Sequence, residues 1–245
     1  IVLVRPVNML FLLMPVLWNV YSPAALLLRI RLSLSNYKQL IPVLIVFLIP
    51  ISLQLYYWHY ATGEWIIYSY NNEYFNFPDP HIIDGLFSFR KGWFIYTPMA
   101  LVAATGFFFL WKKDKKMSFP ILVVMGIVIY ITFSWWMWWY GGSFGCRPLI
   151  EYLALMALPL AAIFEHIISR ANLYGKAVFF TLIAGLIALN IFQQYQYSIH
   201  ILHWDRMTRA YYFKTWGKIN IDAGAYEKYL IDEHEYWDEL RKISR

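Results

Sequence analysis

Residues 134–152 read SWWMWWYGGSFGCRPLIEY and stand between two long apolar runs. Four of the chain's twelve tryptophans fall within five positions here, and glycines and an arginine directly before a proline follow them. Indole rings concentrate where a membrane-spanning segment meets water, and glycine permits tight turns. The stretch is therefore typical of a turn at a membrane surface, where one apolar span ends and the next begins.

The composition of the whole chain points the same way. Of its 245 residues, 60% are hydrophobic and 15% are charged, whereas a soluble domain has roughly 45–50% apolar and about 25% charged residues. The net charge of +6 does not indicate a nucleic-acid partner, because the basic residues fall in short loops between apolar runs. The single cysteine, Cys146, excludes an intrachain disulfide. The composition predicts an all-α polytopic membrane protein whose partner is the lipid bilayer.

Six apolar stretches are candidates for bilayer-crossing helices, which need about 20 residues. None carries a charge near its middle, where a charged side chain costs several kcal/mol. They cover residues 7–28, 40–57, 94–111, 119–139, 148–168 and 177–198. We expect Pro15 and Pro23 to bend the first. The sequence therefore predicts a helical bundle of about six spans over residues 1–198.

Lysine and arginine are concentrated in alternate loops, and such loops lie on the cytoplasmic side. The loops after the first, third and fifth spans contain Arg29, Arg31, Lys38, Lys112, Lys113, Lys115, Lys116, Arg170 and Lys176. The periplasmic side then receives the aromatic loop 58–93, the turn 140–147 and the tail 199–245. Aromatic and Asn side chains in the loop suit stacking on sugars. In the tail, residues 225–242 predict a short amphipathic helix that lies on the membrane or caps the core.

The turn 140–147 has features that favour an anionic ligand. Arg147 precedes Pro148, which suits the first turn of the fifth span, and the free amides at a helix N-terminus attract anions. The glycines allow backbone amides to approach a ligand closely. An aromatic belt with an Arg147–Glu151 salt bridge is the alternative. As substrate-lining residues we consider Trp138, Trp139, Tyr140, Gly141, Gly142 and Ser143.

Further cations lie on the same predicted face. Arg90 and Lys91 stand together where the third span begins, and arginine binds phosphate with a planar fork while lysine acts as a point charge. The alternative is a pair of anchors that extend to lipid headgroups. Arg5, also before a proline, belongs to the same side. The sequence predicts a lipid-phosphate site made of Arg5, Arg90, Lys91 and Arg147, provided that the fold brings them together.

Three segments resemble, in order, segments of bacterial polytopic glycosyltransferases of the GT-C superfamily, of the dolichyl-phosphate-mannose–protein mannosyltransferase-like kind. They read LVRPVNMLFLLMP, LFSFRKGWFIYTPMALVAATGFFFLWKK and WWMWWYGGSFGCRPLIEYLALMALPLA. The resemblance implies a transferase in the bacterial inner membrane that works on the periplasmic side. Its donor would be a polyprenyl-phosphate-linked sugar and its acceptor a glycan or a protein.

In that family the catalytic acid usually belongs to the first periplasmic loop, and no part of this chain matches that motif. The chain begins IVLVRPVNML, so we expect the C-terminal portion of a longer protein, with the acid upstream. Within the chain, the candidate acids are Asp79, Asp84 and Glu73. These acids are otherwise structural or bind a divalent metal, if the enzyme uses one.

No spacing in the sequence predicts a metal site. His200 and His203 share a helical spacing, but without further ligands they are better interpreted as interfacial side chains. The alternative to an enzyme is a non-catalytic or transport-type polytopic membrane protein that takes part in cell-envelope polysaccharide assembly. The upstream sequence would separate the two readings, because only the enzyme needs the acidic loop.

Overall fold

The computed structural model describes residues 5–67 and 73–243, which leaves residues 68–72 of the aromatic loop outside the described part. Within that part the chain is all-helical, as predicted, and its only β-type pairing is an isolated bridge between Phe75 and Trp135. The 3-10 helices η1 and η2 cover Pro6–Leu12 and Arg147–Tyr152. The α-helices α1 to α12 cover Leu13–Leu17, Pro23–Ser35, Tyr37–Thr62, Ile82–Phe87, Trp93–Tyr96, Pro98–Lys113, Lys115–Phe133, Leu153–Arg170, Leu173–Ser198, Arg209–Thr215, Ala223–Glu227 and Glu233–Ile243.

The chain divides into two compact units. The first contains Ile1–Glu73 and Asp114–Val128, and the second contains Tyr74–Lys113 and Ile129–Arg245. Arg5 and Glu73 belong to the first unit. Every other residue that the sequence predicts for a site belongs to the second unit. The second unit therefore contains most of the candidate site.

Four helical segments of the described chain are long and apolar enough to cross a membrane. They are α3, α7, the continuous segment Arg147–Arg170, and α9. The apolar window of α3 has none of its residues buried in the structure, and such a surface requires an apolar surrounding such as lipid. The second, fourth, fifth and sixth predicted spans are thus apolar helices, as expected of a multi-pass membrane protein.

The first predicted span, residues 7–28, is not a single bent helix. Helix α1 ends at Leu17, and Pro23 begins α2 instead of bending a continuous helix. The hydroxyl of Ser22 accepts a hydrogen bond from the backbone N–H of Ala25 at 3.2 Å, which caps the new helix. A proline at the first helical position has no N–H to leave unsatisfied, so the sequence Ser-Pro starts a helix here.

The third predicted span, residues 94–111, is interrupted between α5 and α6. Helix α6 has 16 residues, which corresponds to roughly 24 Å at about 1.5 Å per residue. The hydrocarbon core of a bilayer is about 30 Å thick. Helix α6 is therefore shorter than a full span, and only four of the six predicted spans meet the length and hydropathy expected of one.

The fourth span ends six residues earlier than predicted, at Phe133 instead of residue 139. The segment that follows pairs with another part of the chain. Asn76 donates its N–H to the carbonyl of Ser134 at 2.6 Å, and Trp136 donates to the carbonyl of Tyr74 at 3.0 Å. Because these backbone groups are satisfied by the extended segment, the helix has no need to continue. The four tryptophans therefore lie in an irregular segment and not on a helix.

The tail also differs in detail from its prediction. Residues 225–242 form two short helices, α11 and α12, instead of one. Tyr236 and Leu240 of α12 pack on Trp138 and Trp139. Helix α12 therefore covers part of the core of the second unit, which is one of the two roles predicted for it.

Helices α6 and α8 pack most closely where Gly106 faces Pro159. A Cβ atom added to Gly106 would lie 2.1 Å from the carbonyl oxygen of Pro159. Such a distance is impossible for non-bonded atoms, so the glycine sets the separation of the two helices. A Cβ atom added to Gly185 in α9 would have no neighbouring atom within 4 Å.

We predict that Gly106→Ala lowers the free energy of unfolding in detergent micelles by about 1–3 kcal/mol, because the methyl group forces α6 away from α8. Gly185→Ala is the control, and it is expected to be neutral or stabilising because alanine favours a helix. Equal unfolding free energies for the two variants would contradict the close α6–α8 contact.

Candidate functional site

Arg90 and Lys91 lie in a tight turn between α4 and α5. Gly92 donates its N–H to the carbonyl of Ser88 at 2.7 Å, and Arg90 donates its N–H to the Ser88 hydroxyl at 2.9 Å. A Cβ atom at Gly92 would lie 2.4 Å from the Ser88 carbonyl oxygen, so only glycine fits. The turn directs both cations into the second unit, where Arg90 is 7% exposed and Lys91 is 3% exposed.

The guanidinium of Arg90 is held by three groups from other parts of the chain. Its carbon atom lies 3.5 Å from the centre of the Trp139 ring, a cation–π contact. Its Nη1 donates to the two carboxylate oxygens of Glu239 at 3.3 and 3.1 Å, and its Nε donates to the carbonyl of Asp205 at 3.3 Å. Arg90 therefore joins the tail to residues 134–139, which contain the four tryptophans and are called the tryptophan segment below.

Lys91 joins the turn at residues 140–147, called the glycine turn below, to the beginning of the tail. Its ammonium donates to the carbonyl oxygen of Ser143 and to that of Trp204, the latter at 2.6 Å. Burial lowers the pKa of Lys91 to about 8, and the nearby Asp205 carboxylate only partly opposes that shift. The cations of Arg90 and Arg147 lower this pKa further.

Arg147 is the one predicted phosphate ligand of the second unit with an exposed side chain. It begins η2, directly after the buried Cys146, and its backbone N–H donates to the carbonyl of Gly145 at 3.2 Å. The structure thus brings Arg90, Lys91 and Arg147 into one unit around the glycine turn. Arg5 belongs to the other unit, and its participation remains a prediction.

The glycines of the turn have an internal packing role. Gly145 has a φ of +57°, a conformation that favours glycine, and a Cβ atom there would lie 2.9 Å from Cβ of Tyr96. A Cβ atom on Gly142 would lie 2.9 Å from the ring of Trp204. The turn therefore packs tightly against Tyr96 of α5 and against Trp204, which follows α9. Lys91 binds Ser143 in the same turn.

Two of the four tryptophans pack in the interior of the second unit. Trp138 and Trp139 are buried in a cluster with Tyr236, and Trp138 also stacks on His81 at a centroid distance of 5.9 Å. Tyr140 donates its hydroxyl proton to the carbonyl of Thr132 at 2.7 Å. These contacts give three predicted substrate-lining residues a structural role.

Asp205 and Tyr236 are parts of this site that the sequence did not indicate. Asp205 is fully buried, and its Oδ2 accepts a hydrogen bond from the Tyr236 hydroxyl. His203 supports the same residue, because its Nδ1 accepts the N–H of Asp205 at 3.1 Å and that of Arg206 at 2.9 Å. Burial lowers the pKa of His203 to about 4, so the ring is neutral and fixed as an acceptor. The only signal for Asp205 in the sequence is its position as an acid between the apolar residues Leu202 and Met207.

Three polar atoms of the buried cluster have no hydrogen-bond partner among the described residues. They are Nη2 of Arg90, Nε1 of Trp139 and Oδ1 of Asp205. Two are donors and one is an acceptor, and all three belong to side chains that are buried. Native proteins rarely leave such groups unsatisfied, so the cluster is suited to a small polar ligand such as water or an anion.

Two of the three candidate acids lie at the surface. Asp79 and Asp84 are exposed, and Asp84 pairs with Nδ1 of His81 at 3.3 Å. Glu73 belongs to the first unit and is partly buried. No group of three or more His, Cys, Asp or Glu side chains within residues 5–67 and 73–243 is arranged to hold a metal ion. The acids thus remain separate candidates and not a cluster.

Comparisons with known proteins add no relative to this geometry. No protein-family model, no curated protein and no solved structure matches the chain. The resemblance to GT-C glycosyltransferases therefore rests on the three quoted segments. Two of those segments contribute the cations that meet at the glycine turn, namely Arg90 and Lys91 from one and Arg147 from the other.

Tyr236→Phe is predicted to lower the free energy of unfolding by about 1–3 kcal/mol, because it removes the hydrogen bond to a fully buried carboxylate. Tyr174→Phe is the matched control, since Tyr174 is 78% exposed. Denaturant titrations in detergent would measure both. The role given to Asp205 is wrong if the two variants unfold at the same denaturant concentration.

Lys91 is predicted to make stability depend on pH between about 8 and 10.5. In that window the unfolded chain keeps the proton that folded Lys91 has lost, so the free energy of unfolding rises with pH. The rise should total roughly 3–4 kcal/mol at most, since one pKa unit corresponds to about 1.4 kcal/mol. Below pH 8 both states are protonated and this contribution stays constant.

Unfolding titrations from pH 7 to 11 would detect the effect as a difference between wild type and Lys91→Met. The variant should lose the rise, whereas Lys228→Met, at an exposed position, should keep it. A Lys91→Met slope equal to that of wild type would contradict the buried position of the amine.

Proposed function

We propose that this chain is part of an integral-membrane glycosyltransferase that uses a polyprenyl-phosphate-linked sugar on the periplasmic side. The observation that carries the proposal is that Lys91, the neighbour of Arg90, binds the Ser143 carbonyl in the glycine turn that leads to Arg147. These cations come from two of the three segments that resemble GT-C enzymes. A departing lipid phosphate needs positive charge near it, and three cations in one region are suited to that task.

The three cations have different parts in this proposal. Arg147 is exposed and contacts the phosphate of the donor. Lys91 lies behind it and holds the turn through the Ser143 carbonyl, while its charge adds to the local positive potential. Arg90 is a positioning residue, because Trp139 and Glu239 occupy its guanidinium. Its free Nη2 leaves one donor for a polar group.

The reaction also needs a base. A carboxylate takes the proton of the acceptor hydroxyl as the sugar is transferred, and the lipid phosphate leaves with the electron pair of the broken glycosidic bond. In the GT-C enzymes that the chain resembles, this acid usually belongs to the first periplasmic loop. Asp79, Asp84 and Glu73 stay as the acids of the chain for this role, and a divalent metal, if used, would need their oxygen atoms.

The alternative is a non-catalytic or transport-type protein of cell-envelope polysaccharide assembly. One observation favours it, namely that Arg90 and Lys91 are bound mainly by groups of the chain itself. Such a protein would bind polyprenyl phosphate without transferring sugar. Binding and transfer therefore have to be measured separately.

Arg147→Gln is predicted to weaken binding of polyprenyl monophosphate by about tenfold or more, because a hydrogen bond to a charged group contributes about 1.5–3 kcal/mol. The full-length protein in lipid nanodiscs would be titrated with this lipid, and the dissociation constant measured. Arg209→Gln is the control, since Arg209 is exposed in the same unit. Unchanged affinity in Arg147→Gln would refute the phosphate contact.

Transfer of sugar from polyprenyl-phosphate donors would be assayed on the same preparations. Transfer by the wild type and its loss in Arg147→Gln would support the enzyme. Binding that depends on Arg147 without any transfer would instead favour the non-catalytic alternative.

A further inference from the structure

A groove of about 570 Å³ lies between the last turns of α6 and α8, away from the glycine turn in the chain. The two helices form one packed pair, held close by Gly106 and Pro159. The groove combines aromatic, basic and hydroxyl side chains. It is lined by Phe108, Phe109, Lys112, Lys113, Ala162, Glu165, His166, Ser169 and Arg170.

The groove carries more positive than negative charge. Lys112, Lys113 and Arg170 oppose a single carboxylate, Glu165, so the net formal charge is +2 with His166 neutral. Lys113 forms an ion pair with Glu165. Lys112 and Arg170 form no ion pair within the described part of the chain, and the Lys112 ammonium lies 4.0 Å from the centre of the Phe108 ring. Two cations thus remain available to an anion.

Neutralisation of the helix ends does not account for both charges. Each helix C-terminus carries roughly half a negative charge, so the two ends together offset about one positive charge. About one positive charge remains in a groove whose walls are partly apolar, where the attraction of an anion is stronger than in water. The hydroxyl of Ser169 adds a hydrogen-bond donor for an oxygen ligand.

The apolar surroundings of the groove indicate a lipid and not a free ion. Phe108 is 59% exposed and Ile168 is 51% exposed, and the Phe109 ring packs on the His166 ring at 4.5 Å. Helix α8 belongs to a segment that is apolar and long enough to span a membrane. Exposed apolar side chains next to a basic rim at the end of such a segment suit acyl chains below a headgroup.

We propose that the groove between α6 and α8 binds the phosphate headgroup of an anionic phospholipid, with Lys112 and Arg170 as its charged ligands. This site is separate from the donor phosphate site and does not depend on the proposed function. Lys113 stays paired with Glu165 and sets the size of the groove. The acyl chains lie along Phe108 and the outer face of α8.

The experiment uses the protein in nanodiscs of phosphatidylcholine to which phosphatidylglycerol is added, with bound lipid counted by native mass spectrometry. Lys112→Gln with Arg170→Gln should weaken phosphatidylglycerol binding by roughly 25-fold, since each cation near a membrane surface contributes a factor of about five. Lys214→Gln with Lys228→Gln removes the same charge from exposed positions of the tail and should leave binding unchanged.

A second variant has the opposite expected sign. Glu165→Gln frees Lys113, so phosphatidylglycerol binding should strengthen several-fold. The proposal is overturned if neither groove variant changes binding, or if phosphatidylcholine binds as tightly as phosphatidylglycerol. Inorganic phosphate is added in a further arm. Displacement of the lipid by phosphate at equal concentration would assign the groove to a free anion and reject the lipid.

Discussion

Arg90 and Lys91 are adjacent cations that the fold buries together, and much of the second unit is arranged to make that possible. Removing a charge from water costs several kcal/mol unless opposite charge or good hydrogen bonds replace the solvent. Here the replacements come from far along the chain: Glu239 and the Trp139 ring for Arg90, and the carbonyls of Ser143 and Trp204 for Lys91. The tail must therefore return to the turn before α5, and it becomes part of the core.

The long apolar helices could be predicted from the sequence because hydrophobicity over about 20 residues is a local property. The helix ends could not. Helix α7 stops at Phe133 because residues 74–76 compete for its next backbone groups. The separation of α1 from α2 depends on the Ser22 cap, which a proline-bend interpretation overlooked.

The residues of the site also divide into those that the sequence indicates and those that only the fold identifies. The three cations could be predicted because each stands next to the beginning of an apolar span on the predicted periplasmic side, and the structure does bring Arg90, Lys91 and Arg147 into one unit. Asp205 and Tyr236 could not be predicted, since their hydrogen bond joins positions 31 residues apart in the chain. Trp139 has a partner, Arg90, that only the fold could supply. The sequence predicted these charges as site candidates, and packing determines which of them stay in contact with solvent.

Two of the contacts that hold the tail differ in chemical character. The Glu239 contact to Arg90 depends on charge, and with 37% of the Glu239 side chain exposed it is open to screening by salt. The Lys91 contacts do not depend on charge, because a neutral amine still has two N–H groups for the carbonyls of Ser143 and Trp204. High salt would thus weaken the Arg90–Glu239 contact more than the buried Lys91 contacts. The two attachments of the tail therefore differ in their sensitivity to ionic strength.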